Sequence, residues 1–453
     1  MVRTNRNLLL IGVLLGVLVG RSAWSQESHE WSQVLGRLEA VESELASLKS
    51  ESSESGSVEY IPPFPTCDPT PPAPEFPTIK VGGFFQADSG WFYQDDTNIA
   101  SVGDVQDGAD FRRARINVRG NVFENVAYMM EFDFGFPGRP SFMDVYFDIQ
   151  KTWLGTIRVG QWRQPFGMDG LTSVKEMTFL ERGLPFAFLP FRQIGIGFFN
   201  HNAEETVTWA LSGFRFPTDP FGGNVGDSGG YGLASRITTI LWHNPEETRL
   251  LHLGAGYTMG NPANNLVRYR NQPEFFISET GGSDIAPAGV PTNVPVFVDT
   301  GAINTDTFQQ ASLELAALVG SLHIQSEAIV AAVKQSNGDT ATFSGAYAQA
   351  GYVLTGEVRP YVRNNGVFGR IKPKRSFGTQ GIGAWEIACR WSYLDLNDSN
   401  IAGGYLHNAT VGLNWYLNPN TKVQFNYIHS FLDDPLLYKS EADIFALRGQ
   451  IDF

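Results

Sequence analysis

The chain has 453 residues, with 33 Lys plus Arg against 47 Asp plus Glu and a formal net charge of −14, which tells against nucleic acid as a partner. Charged residues are only 18%, aromatics reach 13% and glycines number 48, a balance suited to a barrel with aromatic girdles and many turns. Beyond the N-terminus no apolar run approaches the ~18 residues of a membrane helix, and two cysteines (Cys67 in a Pro-rich stretch, Cys389 on the apolar face of a strand) exclude a disulfide framework or structural zinc site.

Residues 1–25 read as a secretory signal: Arg3 and Arg6 form a positive start, Leu8 to Val19 an apolar stretch, and Ala23-Trp24-Ser25 a small-residue cleavage site. An uncleaved anchor is the alternative. Residues 26–50 contain Val34, Leu38, Val41, Leu45 and Leu48 at spacings of four and three, the seam of a short N-terminal coiled-coil helix. So few heptads are marginal alone and need partner chains, which points to a homotrimer; a loosely helical surface segment is the other reading. Residues 51–78 begin rich in Ser and Glu and continue through Pro62, Pro63, Pro65, Pro69, Pro71, Pro72, Pro74 and Pro77, a stiff Pro-rich linker.

From residue 79 to 453 a two-residue period takes over. Tyr128, Met130, Phe132 and Phe134 fall on one face against Glu131 and Asp133; Ala409, Val411, Leu413, Trp415 and Leu417 oppose Thr410, Gly412, Asn414 and Tyr416. Large apolar residues recurring on one face, strand after strand, predict lipid outside and water inside. The expected fold is all-β, a sixteen-stranded antiparallel transmembrane barrel. Its strands fall near 79–92, 110–123, 126–136, 143–151, 155–163, 191–200, 204–216, 230–243, 249–260, 307–318, 321–334, 343–356, 383–396, 406–417, 421–431 and 443–453. The last ends on Phe453 and is expected to close the barrel against the first. With both ends periplasmic, 357–382 is a periplasmic connection rather than a seventeenth strand, and 93–109, 164–190 and 261–305 lie outside.

Charged side chains that project into a lumen set ion preference. In Phe111-Arg112-Arg113-Ala114-Arg115-Ile116-Asn117-Val118-Arg119 the period sends Ile116 and Val118 to lipid and Arg113, Arg115 and Arg119 inward, about 7 Å apart for each two residues along a strand. Arginine stays charged and offers several donors, so such a row can hand an oxyanion along. Arg158, Arg390 and Arg448 join from other strands, against inward Glu131, Asp133, Asp144, Asp148, Glu314 and Glu386. The third outer loop, 164–190, is long enough to fold inward and brings Thr172, Ser173, Lys175 and Arg182; ion pairs of Lys175 and Arg182 with Glu176 and Glu181 on a surface loop are the alternative.

The run Phe111 to Arg115, then Val159-Gly160-Gln161 with Pro165-Phe166-Gly167, then Thr178-Phe179-Leu180-Glu181-Arg182, resembles the phosphate-selective porins of the O and P type. Gly383 to Glu386, Tyr393 to Asp398 and Leu413 to Pro419 agree in order and spacing. The resemblance covers roughly 79–453. It implies a homotrimeric outer-membrane channel for phosphate or related oxyanions, with an arginine row and an inward-folded loop, and carries over Arg112, Arg113, Arg115 and Lys175 as channel-lining residues. The N-terminal module resembles extensions that reach toward the cell wall or hold a trimer together.

A passive pore for small anions is therefore expected, with outer-membrane lipid as its surroundings. The alternatives are a general or neutral-solute (sugar) diffusion porin, and a tether between outer membrane and cell wall. The seven histidines are scattered and no Gly-x-Ser-x-Gly, metal-binding His pair or Gly-rich phosphate loop occurs, so no enzyme activity, cofactor or metal is expected.

Overall fold

The computed structural model describes residues 75–453 except 136–138, 220, 224–228, 278–293 and 379–380, together with residue 43 alone from the N-terminal part. The expected signal peptide, coiled coil and all but the end of the Pro-rich linker lie outside the described residues.

Sixteen antiparallel strands form the wall. They are β1 (Lys80–Gln94), β2 (Gly108–Phe123), β3 (Val126–Asp133), β4 (Ser141–Thr152), β5 (Gly155–Arg163), β6 (Arg192–His201), β7 (Val207–Arg215) and β8 (Tyr231–His243). The wall continues with β9 (Arg249–Asn261), β10 (Ile303–Val319), β11 (Leu322–Gln335), β12 (Thr340–Val353), β13 (Ala384–Asp398), β14 (Ile401–Asn418), β15 (Thr421–Asp434) and β16 (Tyr438–Asp452). Each pairs with its neighbours in sequence, and β16 closes on β1 in a register running from Phe84 opposite Asp452 to Gln94 opposite Ala442. Closure leaves no free edge, which lets backbone polar groups sit at membrane depth.

All sixteen expected strands are present, with ends shifted by a few residues. The largest shifts are the starts of β14, at Ile401 rather than near 406 because the chain reverses tightly at Ser399, whose φ is +54°, and of β16, at Tyr438 rather than near 443. Segment 358–371 stays off the wall, as topology requires; its only ladder pairs Tyr361–Val362 with Val367–Phe368.

The period-two pattern resolves into two environments. Leu313 (68% exposed), Leu315, Val411, Leu413, Leu447 and Ile451 face outward, whereas Gln86, Ser312, Gln325, Asn414, Gln424 and Arg448 are buried inside. This reverses the pattern of a soluble protein and marks the outer surface as lipid-facing.

The lumen is not evenly open. The third outer loop (164–191, called L3) enters it through the four-residue helix Met168–Leu171, whose first amides, Met168 N and Asp169 N, donate to the Glu327 carboxylate of β11 at 2.6 and 2.7 Å. It then crosses to the opposite wall. There the Met177 carbonyl accepts from Lys422 (3.1 Å), the Thr178 carbonyl from Asn414 (2.7 Å), the Leu180 carbonyl from Arg448, and the Glu181 carbonyl from Arg390 (2.9 Å).

From the other end the periplasmic segment between β12 and β13 reaches up. Arg359 donates to Thr178 Oγ1 and the Glu176 carbonyl, both at 2.6 Å, and Arg370 to Glu176 Oε2 at 2.9 Å. Met168, Ile240, Leu250, Leu318, Val367 and Phe368 pack as an apolar core inside the barrel beside β8–β10. Among the described residues, the cavities of the lumen lie mainly against β1–β8.

Candidate functional site

Strand β2 carries the basic run, and its geometry departs from strict alternation. Opposite it, Gln86 pairs with Arg113 but Ala87 pairs with Phe111, so Arg112 is an extra residue in a β-bulge. The bulge resets the period: Phe111 faces out at 54% exposure, while Arg112 and the adjacent Arg113 are both buried inside. Alternation alone predicted Arg113, Arg115 and Arg119 inward and would have sent Arg112 to lipid; the bulge doubles the charge at one level.

Three adjoining cavities follow the wall of β1–β8. The outer one, of 440 Å³, is lined by Arg112, Arg113, Arg115, Arg182 and Arg192 with Glu181 and Asp219. The middle one, of 210 Å³, shares Arg115 and Arg192 with the first and adds Arg119, Arg163, Lys175 and Ser173, with Glu131 and Asp144. The inner one, of 510 Å³, shares Arg163 and Asp144 with the second and adds Lys151, Arg158 and Arg236, with Asp148. Along this path eleven Lys and Arg side chains face five carboxylates, in a chain whose overall charge is −14.

Pairing decides which charges are available. Glu181 accepts from Arg112 Nε (2.9 Å), Arg113 Nη2 (2.9 Å) and Arg448 Nη2 (2.8 Å), so three guanidinium groups share one carboxylate, with Asp88 taking part of Arg448. Arg115 binds Asp133 Oδ2 at 2.6 Å and Glu131 Oε1 at 3.2 Å. Arg158 pairs twice with Asp148 at 2.8 Å, and Arg192 with Asp144 at 2.8 Å. Arg163 and Arg182 have no carboxylate partner among the described residues: Arg163 Nη1 donates to the Gly170 and Thr172 carbonyls at 3.2 and 2.8 Å, and Arg182 Nε to the Asp169 carbonyl at 2.8 Å. Carbonyl dipoles hold these side chains, with Asp144 acting on Arg163 and Asp169 on Arg182 from beyond contact distance.

The sequence-derived residues are therefore not equivalent. Arg112, Arg113, Arg115, Arg119, Arg158, Lys175 and Ser173 all line the path. Arg119 is exposed near the periplasmic end, and Lys175 lies 3.9 Å from Asp452 Oδ2 with its ammonium 5.8 Å from the centre of the Phe84 ring. Ser173 Oγ accepts from Lys175 N at 3.4 Å. Arg390 lines none of these cavities: it is 4% exposed, stacked 4.4 Å over Phe179 and bound to Glu274 Oε2 at 2.8 Å, where it anchors two outer loops.

Arg163 and Arg192 were not singled out from sequence. They sit at the two roots of L3, where the chain leaves the wall and alternation stops; a basic residue bordering the constricting loop on each side is the signal that would have found them. The surface alternative for the loop, Arg182 paired with Glu181, does not form. Glu181 binds arginines of the wall.

A closed, lipid-facing barrel of sixteen strands with a basic path through it is an outer-membrane porin. The chain belongs to the phosphate-selective porin O and P family, matching it from residue 79 to residue 453. Porin O of Pseudomonas aeruginosa is 25% identical over 383 residues, 79% of this chain and 83% of that protein. An uncharacterized protein of Caulobacter vibrioides is 29% identical over 341 residues, covering 71% of this chain and 62% of that protein's length. Among solved structures, the barrel resembles OmpT of Vibrio cholerae (TM-score 0.51, 10% identity, 83% of this chain and 97% of that one). It also resembles the anion-selective porin of Comamonas acidovorans (TM-score 0.50, 10% identity, 83% and 99%).

Proposed function

We propose that the protein is a passive channel for small hydrophilic anions, phosphate or related oxyanions in particular. The observation that carries this reading is the excess of arginine and lysine along the cavities described, with Arg182 in the outer one and Arg163 in the narrow middle one, neither in contact with a carboxylate of the described residues. An ion meeting these groups in succession exchanges hydration for guanidinium donors, and no single site is so strong as to trap it. The phosphate-selective description of the family and the anion selectivity of the similarly folded porin from Comamonas acidovorans support this reading.

The measurement is the reversal potential of the purified protein in a planar bilayer across a salt gradient. Anion preference is expected; cation preference would remove the reading in favour of a general diffusion pore. A homotrimer belongs to the same proposal, with the 26–50 heptads helping to hold it and 51–78 as spacer toward the cell wall. Cross-linking in detergent should give trimers, and a monomer alone would dismiss that part.

A further inference from the structure

The outer cavity has two chemically unlike kinds of wall. Among its arginines stand Phe186 and Phe191 of L3, Phe216 of the fourth outer loop and Phe276 of the fifth, the last 4.8 Å from the Arg112 guanidinium. Four phenyl rings from three loops are more apolar surface than a hydrated inorganic ion can use, since burying rings against such an ion gains nothing from the hydrophobic effect.

The two walls meet at Arg182. This side chain is 6% exposed, and its guanidinium carbon lies 5.1 Å from the centre of the Phe186 ring and 5.4 Å from that of Phe191. The two rings stand edge to face, 4.8 Å apart. Arg192, the root of the following strand, lies 4.8 Å over the same Phe191. Arg182 spends Nε and Nη2 on the Asp169, Gly170 and Thr172 carbonyls; among the described residues Nη1 makes no hydrogen bond and no carboxylate reaches ion-pair contact, Asp169 acting from farther off. A buried cation with no carboxylate in contact, flanked by a pair of rings, is matched by a ligand that supplies a contacting anion and a flat apolar body together. The volume of 440 Å³ falls within the range of about 300–1,000 Å³ usual for small-molecule sites.

We propose that the outer cavity is a binding site for aromatic carboxylates, the carboxylate on Arg182 and the ring against the pair Phe186 and Phe191. This rests on the anion-channel reading and narrows it to a substrate class. Inorganic phosphate would engage the arginines alone. An arenecarboxylate would engage both walls and so bind ahead of a carboxylate of equal charge that has no ring.

The test uses the full protein in planar bilayers bathed in potassium chloride, with benzoate or acetate added as the blocking anion. Benzoate is expected to block about tenfold more tightly than acetate, the worth of one well-placed ring contact. In Phe186→Leu/Phe191→Leu, which keeps apolar bulk but removes both rings, that ratio is expected to fall toward one while the chloride reversal potential keeps its sign. Arg182→Gln is expected to weaken both blockers alike. Equal block by benzoate and acetate in an anion-selective pore overturns the site and leaves the channel reading intact. A benzoate preference that survives loss of both rings overturns it too. A cation-selective reversal potential overturns the channel reading first.

Discussion

Glu181 is the carboxylate on which the outer end of the basic row depends, and Glu181→Gln isolates its charge from its shape. Arg112, Arg113 and Arg448 approach it at 2.9, 2.9 and 2.8 Å, so glutamine keeps the size and one acceptor but removes the only negative charge the three share at that point. An ion passing about 7 Å away in a water-filled path would feel the lost charge as roughly 0.6 kcal/mol, favourable for an anion and unfavourable for a cation. The ratio of the two should then move by about 1.2 kcal/mol, roughly sevenfold toward anions. A competing effect is loss of the loop's seat, because breaking a buried ion pair can cost about 3–5 kcal/mol. Conductance separates the two: a seated loop keeps the single-channel current, and a released loop raises it. The assay is reversal potential and single-channel conductance on the same reconstituted protein. An unchanged reversal potential at unchanged conductance would refute the claim that Glu181 offsets the lumen charge.

Two further perturbations probe the wall and the constriction. Arg359→Gln removes the latch that holds L3 from the periplasmic side, two hydrogen bonds of 2.6 Å worth about 1.5–3 kcal/mol each. A larger and noisier open current is expected, and a steady wild-type current would show that the remaining contacts, Arg370 to Glu176 among them, suffice to seat the loop. Leu313→Arg places a cation on a side chain that is 68% exposed on the outer face, beside the inward Glu314. Near mid-membrane this should cost about 2–4 kcal/mol, read as a lower urea midpoint for folding into lipid vesicles. Folding at the wild-type midpoint would contradict the assignment of that face to lipid.

The wall was legible because membrane and water impose opposite demands on alternate residues, and that demand survives in single positions such as Ile116 and Glu131. It fails wherever the chain leaves alternation. Arg112 was recoverable only through the resemblance of its motif, since a bulge is a matter of register between β1 and β2 and not of either strand's pattern. Arg163 and Arg192 escaped because the roots of L3 belong to neither face. Arg390 was read correctly as inward, yet its role depends on Glu274, a residue 116 positions away in a loop with no periodicity. The filling of the lumen beside β8–β10 by the segment before β13 had no sequence signal beyond the length of that connection.

The contacts of L3 impose an order on biogenesis. The loop emerges after β5, but the side chains that hold it across the lumen, Arg390, Asn414, Lys422 and Arg448, arrive with the last four strands. Until those strands are in place the constriction rests on its root and on Glu327 of β11, so its far half lacks that seat. Sealing the seam and narrowing the passage become a single event, and the cell is spared an unselective hole during assembly.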